Sequence, residues 1–403
     1  MYYILLFALG GLFLIGICVY KSVFNPVSVF NAVWFIVCFL YGFRLSPNIQ
    51  PPLLNRTCDL LILGNVVFTI ACILTSKIAF RFATNFKKNE KDEVTFKNIQ
   101  RHFWIWFILE IFETVYSKGM PLIWTLQNNG KTYVDYGVPS LHGLANAYGL
   151  AIVTILFYQA FDKKYKDVLK NIIFYIVIII FMYLLMLTRQ VLISAAIQFF
   201  VVYCFRKKRI PVMKLVIGVL SLIMLFGILG NIRTGYTEFL AVAQINTKIN
   251  PLFIGFYWVY IYLTMTIANL NKLFNLVFMP VGINYFLSIF VPTVLVDSLF
   301  KNNIMNVPNF LVVSNFNVSG YNAEIYVSFG IIGIIIMALI YGILGGIVYK
   351  KISRKEDMKN ILYYAVYYQI IILSFFYNQL FYLPSGFQFI IIYLLFKNVR
   401  FKR

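Results

Sequence analysis

The sequence predicts an all-α integral membrane protein that crosses the bilayer many times. Composition, hydropathy and run length predict it. Hydrophobic residues fill 61% of the 403 positions, against about half in a soluble domain. Mean hydropathy is +0.81. Apolar runs of roughly 16 to 20 residues, matched to the hydrocarbon core, recur along the chain and accommodate about eleven to thirteen spans with short loops.

The net charge of +21 does not mark a nucleic-acid binder, because the basic residues form no single patch. They cluster between apolar runs, at 77–101, 163–170, 206–214, 350–359 and 397–403. Such clusters encode topology, and the positive-inside rule places all of them in the cytoplasm. The N-terminus is then outside and the C-terminus inside. Chain 1–403 reads as one polytopic membrane domain.

Taken in order, the first run, Tyr2 to Tyr20, lacks a basic leader and a small-residue cleavage site, so it reads as a retained span. Spans follow near 28–44 and 59–77, joined by a loop rich in proline and asparagine from Ser46 to Asp59. The spans near 103–123 and 143–161 enclose a second outer loop. Asn171 to Phe205 is apolar for 35 residues except at Thr188-Arg189-Gln190. Both its flanks are basic, so it crosses twice. Each arm is roughly 25 Å long, short of the hydrocarbon core, which recesses the apex at Arg189.

The span near 212–230 leads into the one long outer segment, 231–322. Its apolar stretches at 251–270 and 278–299 form either a further pair of spans or helices lying at the interface. Spans near 323–349, 360–378 and 384–397 close the chain. Internal repeats are not evident, which speaks against a simple pseudosymmetric transporter.

Ionisable groups at membrane depth carry the functional signal, since an arginine or aspartate at a helix centre costs roughly 2.5–3.5 kcal/mol. Arg189 and Arg233 sit at the outer ends of spans. A guanidinium holds two phosphate oxygens at once and stays charged in a dry site; the bland alternative is snorkelling to head groups. Glu110 and Glu113 share one helix face and build a proton relay, buttress an arginine, or join helices. Glu324 begins a span, where the helix dipole favours it, and either positions Arg233 or accepts a proton. His142 is the one outer histidine and suits acid–base work. Arg44 and Arg56 read as interfacial anchors. Trp258 and Tyr260 read as an aromatic belt or as sugar-stacking rings.

Cys18, Cys38, Cys72 and Cys204 lie in or beside apolar runs and only Cys58 falls in an outer loop, so no disulfide framework is expected. His102 and His142 offer no metal spacing, and no metal or cofactor is expected. The sequence has no P-loop, dinucleotide turn or Gly-x-Ser-x-Gly elbow. An enzyme of this kind takes a donor already in the membrane and already activated.

Asn25-Pro26 through Phe30 and Trp34 resembles the entry of the oligosaccharide repeat unit polymerases, the Wzy-type O-antigen polymerase family. Gly137-Val138-Pro139-Ser140-Leu141-His142-Gly143, Thr188-Arg189, Arg233-Thr234-Gly235 and the glycine-punctuated run from Glu324 to Gly333 resemble that family in order. The resemblance implies a GT-C-like polytopic fold in the bacterial inner membrane. It implies transfer of a growing glycan from one undecaprenyl diphosphate to a fresh lipid-linked repeat, beside a flippase and a chain-length regulator. Arg189 and Arg233 would then bind the diphosphate and stabilise its charge. Glu324 or His142 would orient or deprotonate the acceptor hydroxyl, and Tyr236, Tyr321 and Asn322 would contact substrate. The rivals are a lipid-linked oligosaccharide flippase, an O-antigen-ligase-like transferase and a non-enzymatic scaffold.

Overall fold

A computed structural model describes residues 1–77, 93–127, 129–210, 212–245, 250, 253–290, 296, 299 and 307–401. The side chains of Lys214, Arg233, Phe290 and 398–401 lie outside that description. Among the described residues the longer regular elements are helices: α1 (Tyr2–Tyr20), α2 (Pro26–Tyr41), α3 (Asn55–Lys77), α4 (Phe96–Ser117), α5 (Pro121–Leu126), α6 (Leu141–Ala160), α7 (Leu169–Leu185), α8 (Arg189–Lys207), α9 (Val212–Thr234), α10 (Tyr236–Val242), α11 (Ile254–Asn275), α12 (Ile283–Phe290), α13 (Ala323–Arg354), α14 (Met358–Ile372) and α15 (Leu383–Phe401).

Seven described helices (α1, α3, α6, α7, α8, α9 and α13) are long and apolar enough to cross a membrane. This makes the chain a multi-pass membrane protein, with fewer clear spans than the about eleven to thirteen that run length predicts. The difference has visible causes. α2 and the apolar part of α15 are short, α14 has 15 residues, and α4 carries Lys97, Arg101, Glu110 and Glu113. The stretch expected at 251–270 is α11, buried along most of its length and tied by polar side chains. Thr264 and Tyr260 meet the Gln50 amide, Asn271 meets Thr57 and the Leu54 N–H, and Asn269 bonds the backbone at Val312, Phe316 and Val318. Most of the stretch expected at 278–299 beyond α12 lies outside the described residues.

α6 and α14 form the centre, with α8 and α15 packed on both. α3 and α13 make the most extensive pair, and α13 presents glycines there. A Cβ at Gly342 would lie 2.6 Å from the Phe68 carbonyl, and one at Gly346 would lie 2.7 Å from the Cys72 carbonyl. Small residues let backbones approach where lipid gives no hydrophobic drive.

α13, expected as one long span, breaks at Gly330 (φ 61, ψ −141). The carbonyls of Val327 and Ser328, which the break releases, accept from the N–H groups of Val281 and Gly282 at 3.0 Å each. Irregular backbone at this depth is thereby satisfied by protein, as a membrane requires. Arg44 and Arg56 also serve local structure: Arg44 donates to the Gln50 carbonyl and Arg56 to the Tyr326 hydroxyl. Cys58 is buried in the first turn of α3 rather than in a loop, and the described cysteines are all free.

Candidate functional site

The two ends of the bundle differ in charge. Glu93 pairs with Lys164, Asp162 with Arg206, and Glu356 with Lys208. Surface pairs of this kind stabilise little, but they bring residues from four of the chain's segments to one basic end. α6, α8, α9 and α13 each have one terminus there. Arg189 begins α8 and lies about 28 Å from that end by helix rise. His142 begins α6, Glu324 begins α13, and Arg233 ends α9. All four expected residues therefore sit at the opposite end.

Arg189 is buried, with 7% of its surface exposed. Its guanidinium carbon lies 4.3 Å from the centroid of Phe226, 5.2 Å from Trp258 and 5.6 Å from Tyr262. Aromatic faces attract a cation, more strongly when water is excluded. α9 and α11 supply these walls because they touch at glycine: a Cβ at Gly227 would lie 2.4 Å from the Gly255 Cα. The Trp258 indole N–H donates to the Asn231 side chain at 3.1 Å, which fixes that wall two residues before Arg233. Arg233 closes α9; its side chain falls outside the described residues.

His142 sits on a carboxylate. Its Nδ1 is 2.8 Å from Glu113 Oε2, and Glu113 Oε1 accepts from the Val138 N–H at 3.2 Å. Nε2 meets the Asn146 amide nitrogen at 3.0 Å, one turn along α6. Glu113 is fully buried, while the imidazole keeps 24% of its surface exposed. Tyr136 packs edge-on against the imidazole at 5.3 Å. Gly137 (φ 87) lets the loop close over the ring, since a Cβ there would lie 2.7 Å from His142. Earlier in that loop, the Thr132 backbone and hydroxyl both donate to Asp135 and hold its carboxyl below the ordinary range. Burial raises the Tyr136 phenol.

Backbone conformation marks both residues. Ser140 (φ 69) and Leu187 (φ 55) adopt left-handed torsions, each two positions before a candidate. Such torsions cost roughly 1–3 kcal/mol and concentrate where surrounding structure enforces a geometry.

The corner between α14 and α15 joins the two groups. Tyr377 donates to the Gln190 side-chain carbonyl, beside Arg189. Tyr377 and Tyr382 pack edge-on at 4.7 Å. Leu383 lies against Gly143, beside His142. Glu324 Oε2 is buried with no hydrogen-bond partner.

Two expected contacts turn inward. Tyr321 is 1% exposed and packs among Phe30, Trp34 and Tyr341. Asn322 is also 1% exposed, immediately before α13. Neither offers a surface to substrate in this arrangement, because the entry to α13 is folded into the aromatic core. Tyr236 opens α10 half-buried against the same apolar body. Glu110 lies fully buried, both oxygens without a hydrogen-bond partner. Glu113 buttresses a histidine rather than an arginine. Sequence reasoning missed Asn146, Gln190, Tyr377, Gln379 and Tyr382. The i,i+4 spacing of His142 and Asn146 was the one local signal available.

No family model, no curated protein and no solved structure matches this chain. The chemistry of the site therefore rests on its own geometry. It offers a buried guanidinium walled by aromatic rings, a carboxylate-backed imidazole and an acid, all at one end. Among the described residues, no His, Cys, Asp and Glu side chains gather into a group that would hold a metal.

Proposed function

We propose that the chain is a membrane glycosyltransferase. It would polymerise undecaprenyl-diphosphate-linked oligosaccharide repeats into O-antigen, capsular or exopolysaccharide at the outer face of the bacterial cytoplasmic membrane. One observation carries this reading. A buried arginine in aromatic walls and a glutamate-backed histidine share the end of the bundle opposite the basic clusters.

The parts suit displacement at an anomeric carbon. The acceptor hydroxyl oxygen forms a bond to that carbon as its bond to the diphosphate breaks. Arg189 stabilises the charge that collects on the departing diphosphate. The acceptor proton passes to the imidazole of His142. Glu113 holds Nδ1–H, which leaves Nε2 as the basic atom. Asn146 serves both states of Nε2, because its amide turns over to offer a donor or an acceptor. Glu324 is a further carboxyl at this end and orients the acceptor. The N-terminus would lie outside and the C-terminus in the cytoplasm, with the flippase and chain-length regulator as partners.

The test is turnover of purified protein with a single lipid-linked repeat, read as a ladder on a gel. Wild type should extend the repeat, and Arg189→Ala and His142→Gln should each lose the ladder with folding intact. A ladder that survives both substitutions removes the assignment. Buried, unpartnered Glu110 favours a second reading, a proton-coupled flippase. It predicts passage of the repeat across proteoliposomes, without elongation, that Glu110→Gln abolishes.

A further inference from the structure

We propose that the corner formed by Gln190, Tyr377, Gln379 and Tyr382 is a carbohydrate subsite, which holds the sugar next to the diphosphate. The identity of the lipid rests on the polymerase reading; the subsite itself rests on the following geometry.

Tyr377 and Tyr382 are half-buried, and their rings meet edge-on at 4.7 Å, 81° apart. Two flat apolar faces at a right angle, edged by hydroxyls, suit a pyranose, whose C–H faces are apolar and whose rim is polar. The amides behind them are fixed but not saturated. Gln379 Oε1 accepts from Gln190 at 3.2 Å and from Ser385 at 2.7 Å. Gln379 Nε2 is buried and has no partner. Glu324 Oε2, at the same end of the bundle, is a buried acceptor that also has none. An unfilled donor beside paired tyrosines calls for a ligand that accepts, as a sugar hydroxyl does.

A buried ladder stiffens the corner. Gln369 donates to Ser385 at 2.9 Å, and Gln198 donates to Gln369 at 2.8 Å and Gln388 at 2.7 Å. These residues are essentially unexposed, so the ladder acts as a preorganised second layer. Position adds the last link. Gln190 follows Arg189 in sequence, and Leu383 follows Tyr382 and touches Gly143, the neighbour of His142. A sugar at this corner would lie between the charge that holds the diphosphate and the base.

The test compares two probes on purified protein: bare undecaprenyl diphosphate, and the lipid-linked repeat isolated from the producing cells. Tyr382→Ala and Gln379→Leu should weaken binding of the repeat at least tenfold and leave the bare lipid within twofold. Equal losses for both probes, no loss for either, or a wild type that binds the two alike or binds neither would overturn the subsite. Gln379 is buried, so Tyr382→Ala decides if Gln379→Leu fails to fold. Selective binding without any elongation by wild type would leave the subsite standing and remove the polymerase reading.

Discussion

Replacing Glu113 with glutamine isolates what the carboxylate does for His142. Glutamine has nearly the same shape, and its carbonyl oxygen still accepts from the Val138 N–H, so the loop remains anchored. What disappears is the charge behind Nδ1, now in a 2.8 Å contact with a fully buried oxygen. Hydrogen bonds to a charged group contribute about 1.5–3 kcal/mol. On the proposed reading, a loss of that size, felt as the imidazole gains its proton, would slow elongation by about 10- to 160-fold. The assay is kcat/KM for extension of the lipid-linked repeat, with the melting temperature in detergent as the control for folding. His142→Gln and the double variant complete a cycle. Residues that act as one unit give a double variant no slower than the slower single one. The reasoning is refuted if Glu113→Gln stays within about twofold of wild type, or if the two losses multiply.

Other perturbations test the frame and the charge pocket. Arg189→Lys keeps the charge but loses the planar fork and its stacking on Phe226 and Trp258; elongation should fall at least about tenfold, measured by the same ladder. Gly346→Val puts a branched side chain where a Cβ already lies 2.7 Å from the Cys72 carbonyl; overpacking of this kind costs about 1–3 kcal/mol and should lower the melting temperature. Gly330→Ala forces an L-residue into φ 61, ψ −141 and should cost about 1–3 kcal/mol in thermal unfolding. At the loop, Asp135 is held low by Thr132. Its contribution is present above the ordinary aspartate range and is lost as pH falls through the lowered value. Asp135→Asn should therefore abolish an acid-side change in protease sensitivity of the 129–137 loop.

Much of the frame was legible because membrane helices announce themselves by length and by basic flanks. The short arms either side of Thr188-Arg189-Gln190 placed Arg189 at a recessed apex, and α7 and α8 meet there. Basic clusters grouped one terminus each of α6, α8, α9 and α13 at a common end of the bundle. α11 was not legible as a buried helix, because its partners at Gln50, Thr57 and Val318 lie far away in sequence. The Gly330 break was invisible too, since glycine in an apolar run marks close packing more often than a bend. The site was half legible. Arg189 and His142 stood out as charged or titratable groups in apolar surroundings. Gln190, Gln379 and Asn146 are neutral amides without periodic pattern, and only contact identifies them. Tyr321 misled because tyrosine near an outer boundary has the same sequence signature whether it faces solvent or core.

The aromatic walls around Arg189 bear on a competition that any glycan-transferring enzyme faces. Water is present at very high concentration and is itself an acceptor: its attack on an activated sugar ends the reaction with a wasted donor and a truncated chain. Phe226, Trp258 and Tyr262 leave Arg189 with 7% exposure. On the proposed reading, a diphosphate seated there would be shielded from solvent on several sides while an acceptor approaches from the His142 side. The tightness of that enclosure would then set product length as well as rate, by fixing how often a chain ends through hydrolysis before the next repeat arrives.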